Sequence, residues 1–544
     1  MLCRARLLSR TSRAFRGFAT KTASHDQLYV TQPIFYVNAK PHIGHFYTVV
    51  LADTIKRFGE LKGKETRLSA GTDEHGMKIQ QAAMRARKDP LEFCTENSDQ
   101  FRALMKAANA SITDFTRTTS PGHREKVIYL WKRLVDNGLI YKGSHAGWYA
   151  VSDEAFYTSG QVEERQDSSG NRIMVAKESG QPVEWIEEEN YMFRLSGFRE
   201  KLIEWVSGDV IYPEARRNEV LAWLRAGLED LSVSRPSKRQ RWGIRVPDDP
   251  DHTIYVWVDA LANYLRDDKF FPPDMQVVGK DILRFHAVYW PAMLLAAKLP
   301  LPRRILAHAH WTMGAQKMSK SRGNVVDPFA AIGHFGADAM RYYVIRNGGI
   351  ADDRDFSLDE VLVRYRKDLG GQLGNLAARC LSPNMGVNLN CFAAIGEAQS
   401  RNADNSADVE LRETLINLPA HISKLYEVGE FGRGMVHIFD ALALANRYIT
   451  QTEPWHLAKL PDAKDRLQTV LFYVLESVRL SALMLQPVMP QKSSTLLDHL
   501  AIAASERSWD DVQFGKGWPN TGAERRSLDG VAKLFPKIYS SDLI

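Results

Sequence analysis

His42 and His45 bracket Ile43 and Gly44 directly after a short apolar segment, at an expected helix start. A helix N-terminus offers backbone N–H groups and partial positive charge, which suit phosphate. Imidazoles three residues apart share a helix face and can donate to phosphate oxygens. Gly44 has no side chain, so a flat base can approach the backbone there. Read alone, the same four residues could be plain helix-cap histidines, and a metal pair would need a third ligand that is not nearby. Far downstream, Lys317, Met318, Ser319, Lys320 and Ser321 form a second string, bracketed by Gly314 and Gly323. Two lysines and two hydroxyls on a mobile loop can follow the charge that develops on a triphosphate during attack at its α-phosphorus. In isolation that string is a solvated basic loop.

Both strings need elements to hold them. Gln27 to Pro33 reads as a short strand ending at a proline. Pro41 is expected in the first turn of a helix over about 42–60, where its missing N–H costs nothing. Thr66 to Ala70 reads as the next strand, followed by a polar loop over 71–76, and Met275 to Val278 and Arg304 to His310 as two more. Short apolar strands alternating with helices predict a doubly wound parallel, Rossmann-like α/β sheet. Residues 141–240 have a different texture, rich in Glu, Gly and aromatics, and read as an insertion that splits the sheet. From Ser357 the pattern turns helical, with amphipathic runs at Arg433 to Thr450 and Asp465 to Leu485 broken near Glu453 and Pro454. That predicts a C-terminal α-helix bundle.

Composition narrows the function classes. The chain has 544 residues, 44% hydrophobic and 25% charged, which excludes disordered, collagenous and disulfide-scaffold proteins. Cys3, Cys94, Cys380 and Cys391 lie far apart, against a disulfide framework or a cysteine-built zinc knuckle. The most apolar late stretch, Leu467 to Met489, carries Glu476 and Arg479, so no membrane association is expected. Lys plus Arg number 71 against 65 acids, a net of +6. Arg4, Arg6, Arg10, Arg13, Arg16 and Lys21 precede the first acid, Asp26, and account for that whole excess. Net charge therefore says nothing about nucleic acid in the rest of the chain. An Arg-rich, hydroxyl-bearing, acid-free leader over 1–24 has the composition of an organelle-import presequence, mitochondrial by its Arg density. The alternative is a disordered basic tail.

The two strings stand in order and register with further segments: PIFYVNAKPHIGH (Pro33 to His45), GTDEHG (Gly71 to Gly76), YVWVDA (Tyr255 to Ala260) and GKDILRFH (Gly279 to His286). Together they resemble the methionyl-tRNA synthetases, a branch of the class I aminoacyl-tRNA synthetases. NLAAR (Asn375 to Arg379) and EPW (Glu453 to Trp455) carry the likeness into the helical part.

The resemblance implies roles residue by residue. Asp73, with the backbone at Ile34, would hold the α-ammonium of methionine. Tyr36, Trp257, Tyr264, Phe285 and His286 would close around the thioether; apart from the motifs, Trp257 and Phe285 would be ordinary core aromatics. Gly279 and Asp281 would meet the ribose of ATP. His42, Gly44 and His45 would face base and phosphates, and Lys317, Met318, Ser319, Lys320 and Ser321 would serve the transition state, with His42, His45, Lys317 and Lys320 catalytic. Asn375, Arg379 and Trp455 would read the CAU anticodon of tRNA(Met) by base edges and stacking.

Implied with these are ATP as co-substrate, Mg²⁺, a monomer, and work in the mitochondrial matrix. Many relatives carry a zinc knuckle in the insertion; the insertion here has no cysteine, so no zinc is expected. The implied organisation is a presequence (1–24), the first Rossmann half (25–140), a zinc-less connective insertion (141–240) and the second half with the lysine loop (241–330). A stem-contact linker (331–372) and an anticodon-binding bundle (373–544) would follow. Two rivals are a nucleotidyltransferase making a small adenylylated cofactor and a synthetase-derived RNA-binding protein that has lost catalysis. The long helical half opposes the first, and the intact set of Asp73, His42, His45, Lys317 and Lys320 opposes the second.

Overall fold

The computed structural model of the chain describes residues 26–151, 155–167, 170–177, 179–266, 268–314, 316–318, 325–401, 406–519 and 534–539. The leader over 1–24 and Ser319, Lys320 and Ser321 lie outside these residues, as does the side chain of Lys317.

Seven strands form the main sheet: β1 (Gln27–Thr31), β2 (Phe35–Tyr36), β3 (Glu65–Asp73), β4 (Asp114–Arg117), β5 (Ile211–Tyr212), β6 (Met275–Gly279) and β7 (Ile305–His308). Every pairing is parallel. Ser69 pairs with both Thr31 and Asp114, and Thr72 with both Phe35 and Arg117, so β1 and β2 lie along one edge of β3 and β4 along the other. From β1 the chain winds outward through β3 to β4. It then returns to β1's other side and winds through β6 to β7, with β5 at the edge. Val30, Leu68, Val277, Val278 and Leu306 are fully buried, as the central strands of a sheet covered on both faces require.

Three sequence expectations need correction. Helix α1 (Ile43–Leu61) begins with His42 as its N-cap, so Pro41 precedes the cap instead of filling the first turn. The mutual bonds of His42 and His45 close the helix start and leave no place for the proline inside it. The expected loop over 71–76 is strand as far as Asp73. Gly71 explains the misreading: a Cβ there would sit 2.2 Å from the Thr116 carbonyl oxygen and 2.7 Å from Ile34 Cγ2. This glycine lets neighbouring backbone approach within a strand, and marks no turn. Finally, the 141–240 span is not wholly separate from the sheet, because Ile211 and Tyr212 within it pair with Ile305 and Leu306. The rest of that span is built on a long antiparallel pair, Ile140–Ala150 with Glu184–Phe193, and a hairpin of Val162–Gln166 with Arg172–Ala176.

The helical half contains α6 (Ser406–Glu427), α7 (Phe431–Thr452) and α8 (Lys464–Leu485). By length and hydropathy α8 could cross a membrane, but 94% of its apolar window is buried inside the protein. Glu476 and Arg479 pair there at 2.8 Å, and Trp518 Nε1 donates to Glu476 at 2.6 Å, so the buried charges are satisfied. Arg341, on α4 (Ala337–Asn347), joins the halves. Its guanidinium meets Asp53 of α1 at 2.7 Å and donates to the carbonyls of Val488 and Pro487 beyond α8.

Candidate active site

In an open parallel sheet, ligands bind beyond the carboxyl ends of the strands where the winding direction reverses. Here the reversal lies between β1 and β6, whose exits are Ile34 and Gly279. Helix α1 starts at the same place. Gly44 N–H donates to His42 Nδ1 at 3.0 Å, and His42 N–H donates to His45 Nδ1 at 3.1 Å. Both Nδ1 atoms accept, so each neutral ring carries its hydrogen on Nε2, a tautomer assigned by the bond network. The helix therefore begins with two imidazole donors whose centroids are 3.9 Å apart. Phe35 and Phe101 brace His45 edge-on at 4.8 and 5.1 Å. A Cβ on Gly44 would lie 2.9 Å from His42 Cε1, so a side chain there would displace the imidazole.

The segments on either side of the late string reach the same helix. Gln316–Lys317 pairs antiparallel with Trp311–Met313, and Met318 is buried. The Trp311 ring meets Tyr47 of α1 edge-on at 6.3 Å. Beyond the lysine string, Val326 accepts from Ile43 N–H at 3.2 Å. Both flanks of residues 319–324 are thus anchored beside the histidine pair. One turn inside α1, Thr48 meets His308 Nε2 at 3.0 Å, while His308 Nδ1 donates to the Ala309 carbonyl. Burial pushes the His308 imidazole down to about 4, so it stays neutral and Nε2 accepts the Thr48 hydroxyl.

A second group of side chains lies on the opposite flank. Tyr36 and Asp73 are register partners, and Ile34 packs on Gly71. Trp257, on α3 (Val256–Leu261), stacks on Phe285 at 3.6 Å with 6° between the rings. Phe285–Tyr289 is a π-helical turn, a local widening that places Phe285 and His286 toward Trp257 and Tyr264. His286 Nδ1 donates to the Ile282 carbonyl, so its Nε2 accepts the Tyr264 hydroxyl at 2.8 Å. Burial lowers His286 to about 4 and raises the Tyr264 phenol, so both stay neutral. Neutral aromatic side chains beside the Asp73 carboxylate, with Lys78 Nζ over the Tyr36 ring at 5.8 Å, suit a zwitterionic ligand with an apolar side chain.

Two segments of this recess are joined by residues that sequence reasoning left unassigned. Asp259, two positions after Trp257, is buried and meets both His75 Nδ1 and His123 Nε2 at 2.6 Å. Burial alone would raise the Asp259 carboxyl, but the two histidines outweigh it and hold it at about 2. His75 lies two positions after Asp73, and His123 on α2 (Pro121–Asp136). His75 and Asp259 stand inside GTDEHG and YVWVDA, which was the available signal; the pairing across 184 residues was not legible. On the ribose side expected for Gly279 and Asp281, Asp281 Oδ1 lies 3.0 Å from His310 Nε2.

Of the remaining expected residues, Arg379 and Trp455 come together in the helical half. Arg379, on α5 (Asn375–Cys380), lies over the Trp455 ring at 5.3 Å. Asn375 is exposed one turn earlier on α5, directly after a π-helical segment, Tyr365–Gly374. Glu453 ends α7 with φ 42°, turning the chain so that Pro454 starts a new helix and Trp455 faces α5. Among the described residues, no group of three or more His, Cys, Asp or Glu could hold a metal ion.

Comparison with known proteins gives the family of this fold. Residues 28–381 match the family model of class I tRNA synthetases (M). The mitochondrial methionine–tRNA ligase of Takifugu rubripes is 42% identical, over 94% of this chain and 90% of that one. That of Homo sapiens is 40% identical, over 94% of this chain and 91% of that one. The Mycobacterium tuberculosis methionyl-tRNA synthetase solved with methionyl-adenylate superposes with a TM-score of 0.83 at 36% identity, covering 94% of this chain and all of that one. A split parallel sheet with its histidine-capped helix, a neutral aromatic recess, and this likeness along nearly the whole length place the chain in the methionyl-tRNA synthetase family of class I aminoacyl-tRNA synthetases.

Proposed function

We propose that the chain joins methionine to ATP as methionyl-adenylate and passes the methionyl group to tRNA(Met) with a CAU anticodon, for translation in the mitochondrial matrix. What supports this reading is the short span of structure that links the parts: Phe35 braces His45, the next residue Tyr36 pairs with Asp73, and Val326, beyond the lysine string, accepts from Ile43 N–H at the start of α1. Asp73 and the Ile34 backbone hold the α-ammonium. Tyr36, Trp257, Tyr264, Phe285 and His286 enclose the thioether. ATP lies with its base against Gly44, its ribose at Gly279 and Asp281, and its phosphates at the start of α1.

The methionine carboxylate then attacks the α-phosphorus, and the bond to pyrophosphate breaks. Nε2–H donors of His42 and His45, with Lys317 and Lys320, stabilise the charge that moves onto the departing oxygens. Met318, Ser319 and Ser321 complete the loop around the triphosphate. In the second step the terminal ribose hydroxyl of the tRNA attacks the adenylate carbonyl and AMP leaves. Neither step needs a covalent enzyme intermediate; positioning and preorganised charge carry the rate. Mg²⁺ would enter with the triphosphate and supply positive charge to the departing pyrophosphate.

The proposed organisation keeps the presequence at 1–24, the catalytic halves at 25–140 and 241–330, a connective insertion without zinc at 141–240, the linker at 331–372 and the anticodon bundle at 373–544. The edge strand β5 is the part of 141–240 that serves the catalytic sheet. The protein acts as a monomer.

Amino-acid-dependent ATP–pyrophosphate exchange with all twenty amino acids tests the first step. Methionine alone should support rapid exchange, and exchange with another amino acid at a comparable rate would overturn the reading. Trp455→Ala tests the second site. Loss of base stacking should lower kcat/KM for charging CAU-bearing tRNA about 10–100-fold. Methionine-dependent exchange should stay within about twofold of the parent, because the bundle does not touch the adenylate. Equal damage to both activities would refute the anticodon assignment.

A further inference from the structure

Residues from three separate loops meet at the exit of β6. Gly279 ends the strand, and Lys280–Ile282 turns once. A Cβ on Gly279 would sit 2.7 Å from Asp281 Oδ1 and 3.6 Å from His310 Nε2, so the three residues converge on one spot. His310 follows β7. Its Nε2 lies 3.0 Å from Asp281 Oδ1, and since a carboxylate only accepts, the imidazole donates. The His310 backbone is itself fixed on both sides: its N–H donates to Asp353 Oδ1 at 2.9 Å, and its carbonyl accepts from Arg354 N–H at 3.0 Å. Asp353 is also paired with Lys280 at 2.7 Å, next in sequence to Asp281. The Asp281 side chain is 42% exposed and that of His310 only 18% exposed. The carboxylate is thus the more open of the two, and the imidazole supports it from the more buried side.

We propose that His310 is a positioning residue for adenylate formation: its Nε2–H fixes the plane of the Asp281 carboxylate so that it accepts from a ribose hydroxyl of ATP. The inference rests on the reading of Asp281 as the ribose acceptor. A carboxylate on a short side chain can rotate about its terminal bond. A charge-assisted hydrogen bond to one oxygen removes that freedom before ATP arrives, which lowers the ordering cost of binding. Held this way, Asp281 discriminates by hydroxyl group, because an acceptor left without its donor in the cleft is penalised.

The experiment is pyrophosphate exchange by the full chain with ATP, 2′-deoxyATP and 3′-deoxyATP, for the parent and for H310A, H310Q, D281N and H310A/D281N. H310A should raise KM for ATP about tenfold, with kcat and KM for methionine changed less than about twofold. With the deoxy nucleotide that lacks the hydroxyl in question, the H310A penalty should fall below about twofold, since nothing remains for the carboxylate to orient. H310Q can still donate an N–H and should recover most of the ATP affinity. H310A/D281N should bind ATP no worse than D281N.

A merely structural role predicts otherwise: H310A would raise KM by the same factor for all three nucleotides, and that result would overturn the proposal. So would an unchanged KM for ATP in H310A. D281N separates the two layers of the argument. If it still prefers ATP to both deoxy nucleotides as strongly as the parent does, the ribose reading fails and the inference with it. If it loses that preference while H310A keeps it, only the His310 inference fails.

Discussion

Replacing His45 with alanine is expected to slow methionine-dependent pyrophosphate exchange about 10²–10³-fold, the usual cost of removing one preorganised donor from a developing oxyanion. The prediction follows from the tautomer. His42 N–H points into His45 Nδ1 at 3.1 Å, so the Nε2 of His45 carries the hydrogen and needs no proton uptake to donate. Phe35 and Phe101 hold the ring edge-on, so little reorganisation accompanies the reaction.

Alanine removes this donor and also opens the reciprocal cap of α1. The cap is worth only about 1 kcal/mol of stability, far less than the expected loss of rate. H45Q separates the two effects. Glutamine is a regular residue at the third position of a capping box and can still accept from His42 N–H. It should restore the thermal midpoint to near the parent's while leaving exchange well below it. In both variants KM for methionine should move less than about threefold, because the Asp73 recess is built from other elements. An H45A exchange rate within tenfold of the parent would remove the phosphate role from this residue.

The parts of the site that could be read from the chain are those where local chemistry and local structure coincide. His42 and His45 could be placed at a helix start because they follow a short apolar strand and a proline. Val277, Val278 and Leu306 announce buried parallel strands because an apolar run is needed where both faces are covered. Trp455 is signalled by the proline that must break α7. The failures have physical causes too. Gly71 looks like a turn residue, yet it is needed in mid-strand because Thr116 and Ile34 crowd its α-carbon. Ile211 and Tyr212 make a strand of two residues, too short to show a period, and only the parallel partner Ile305–Leu306 defines it. The bond from Asp259 to His75 spans 184 residues, and that from His310 to Asp281 spans 29. No window along the chain brings such partners together; the crossover connections of the sheet do. The lysine string was legible as chemistry, while the contacts that Trp311 and Val326, on either side of it, make with α1 were not.

Asp73→Asn should be at least as damaging as the His45 change, but through methionine instead of ATP. Asp73 ends β3 opposite Tyr36 and is partly buried, so its carboxylate sits where water competes poorly. The neutral amide keeps the shape of the side chain and removes the charge. An ammonium bound there would then lose its counter-ion in a partly desolvated site, which costs about 3–5 kcal/mol when one partner of a buried pair is removed. On that scale kcat/KM for methionine should fall about 10²–10⁴-fold in the exchange assay, with KM for ATP changed less than about threefold.

General damage would not be selective, and the desamino analogue of methionine, which keeps the thioether and lacks the ammonium, exposes the difference. As a competitive inhibitor it meets the aromatic recess of Trp257, Tyr264, Phe285 and His286 but makes no use of the Asp73 charge. Its inhibition constant should therefore stay within about twofold of the parent's in D73N, because the analogue has no ammonium that could lose a counter-ion. If D73N weakens the analogue as much as it weakens methionine, the residue supports the shape of the recess and does not hold the ammonium.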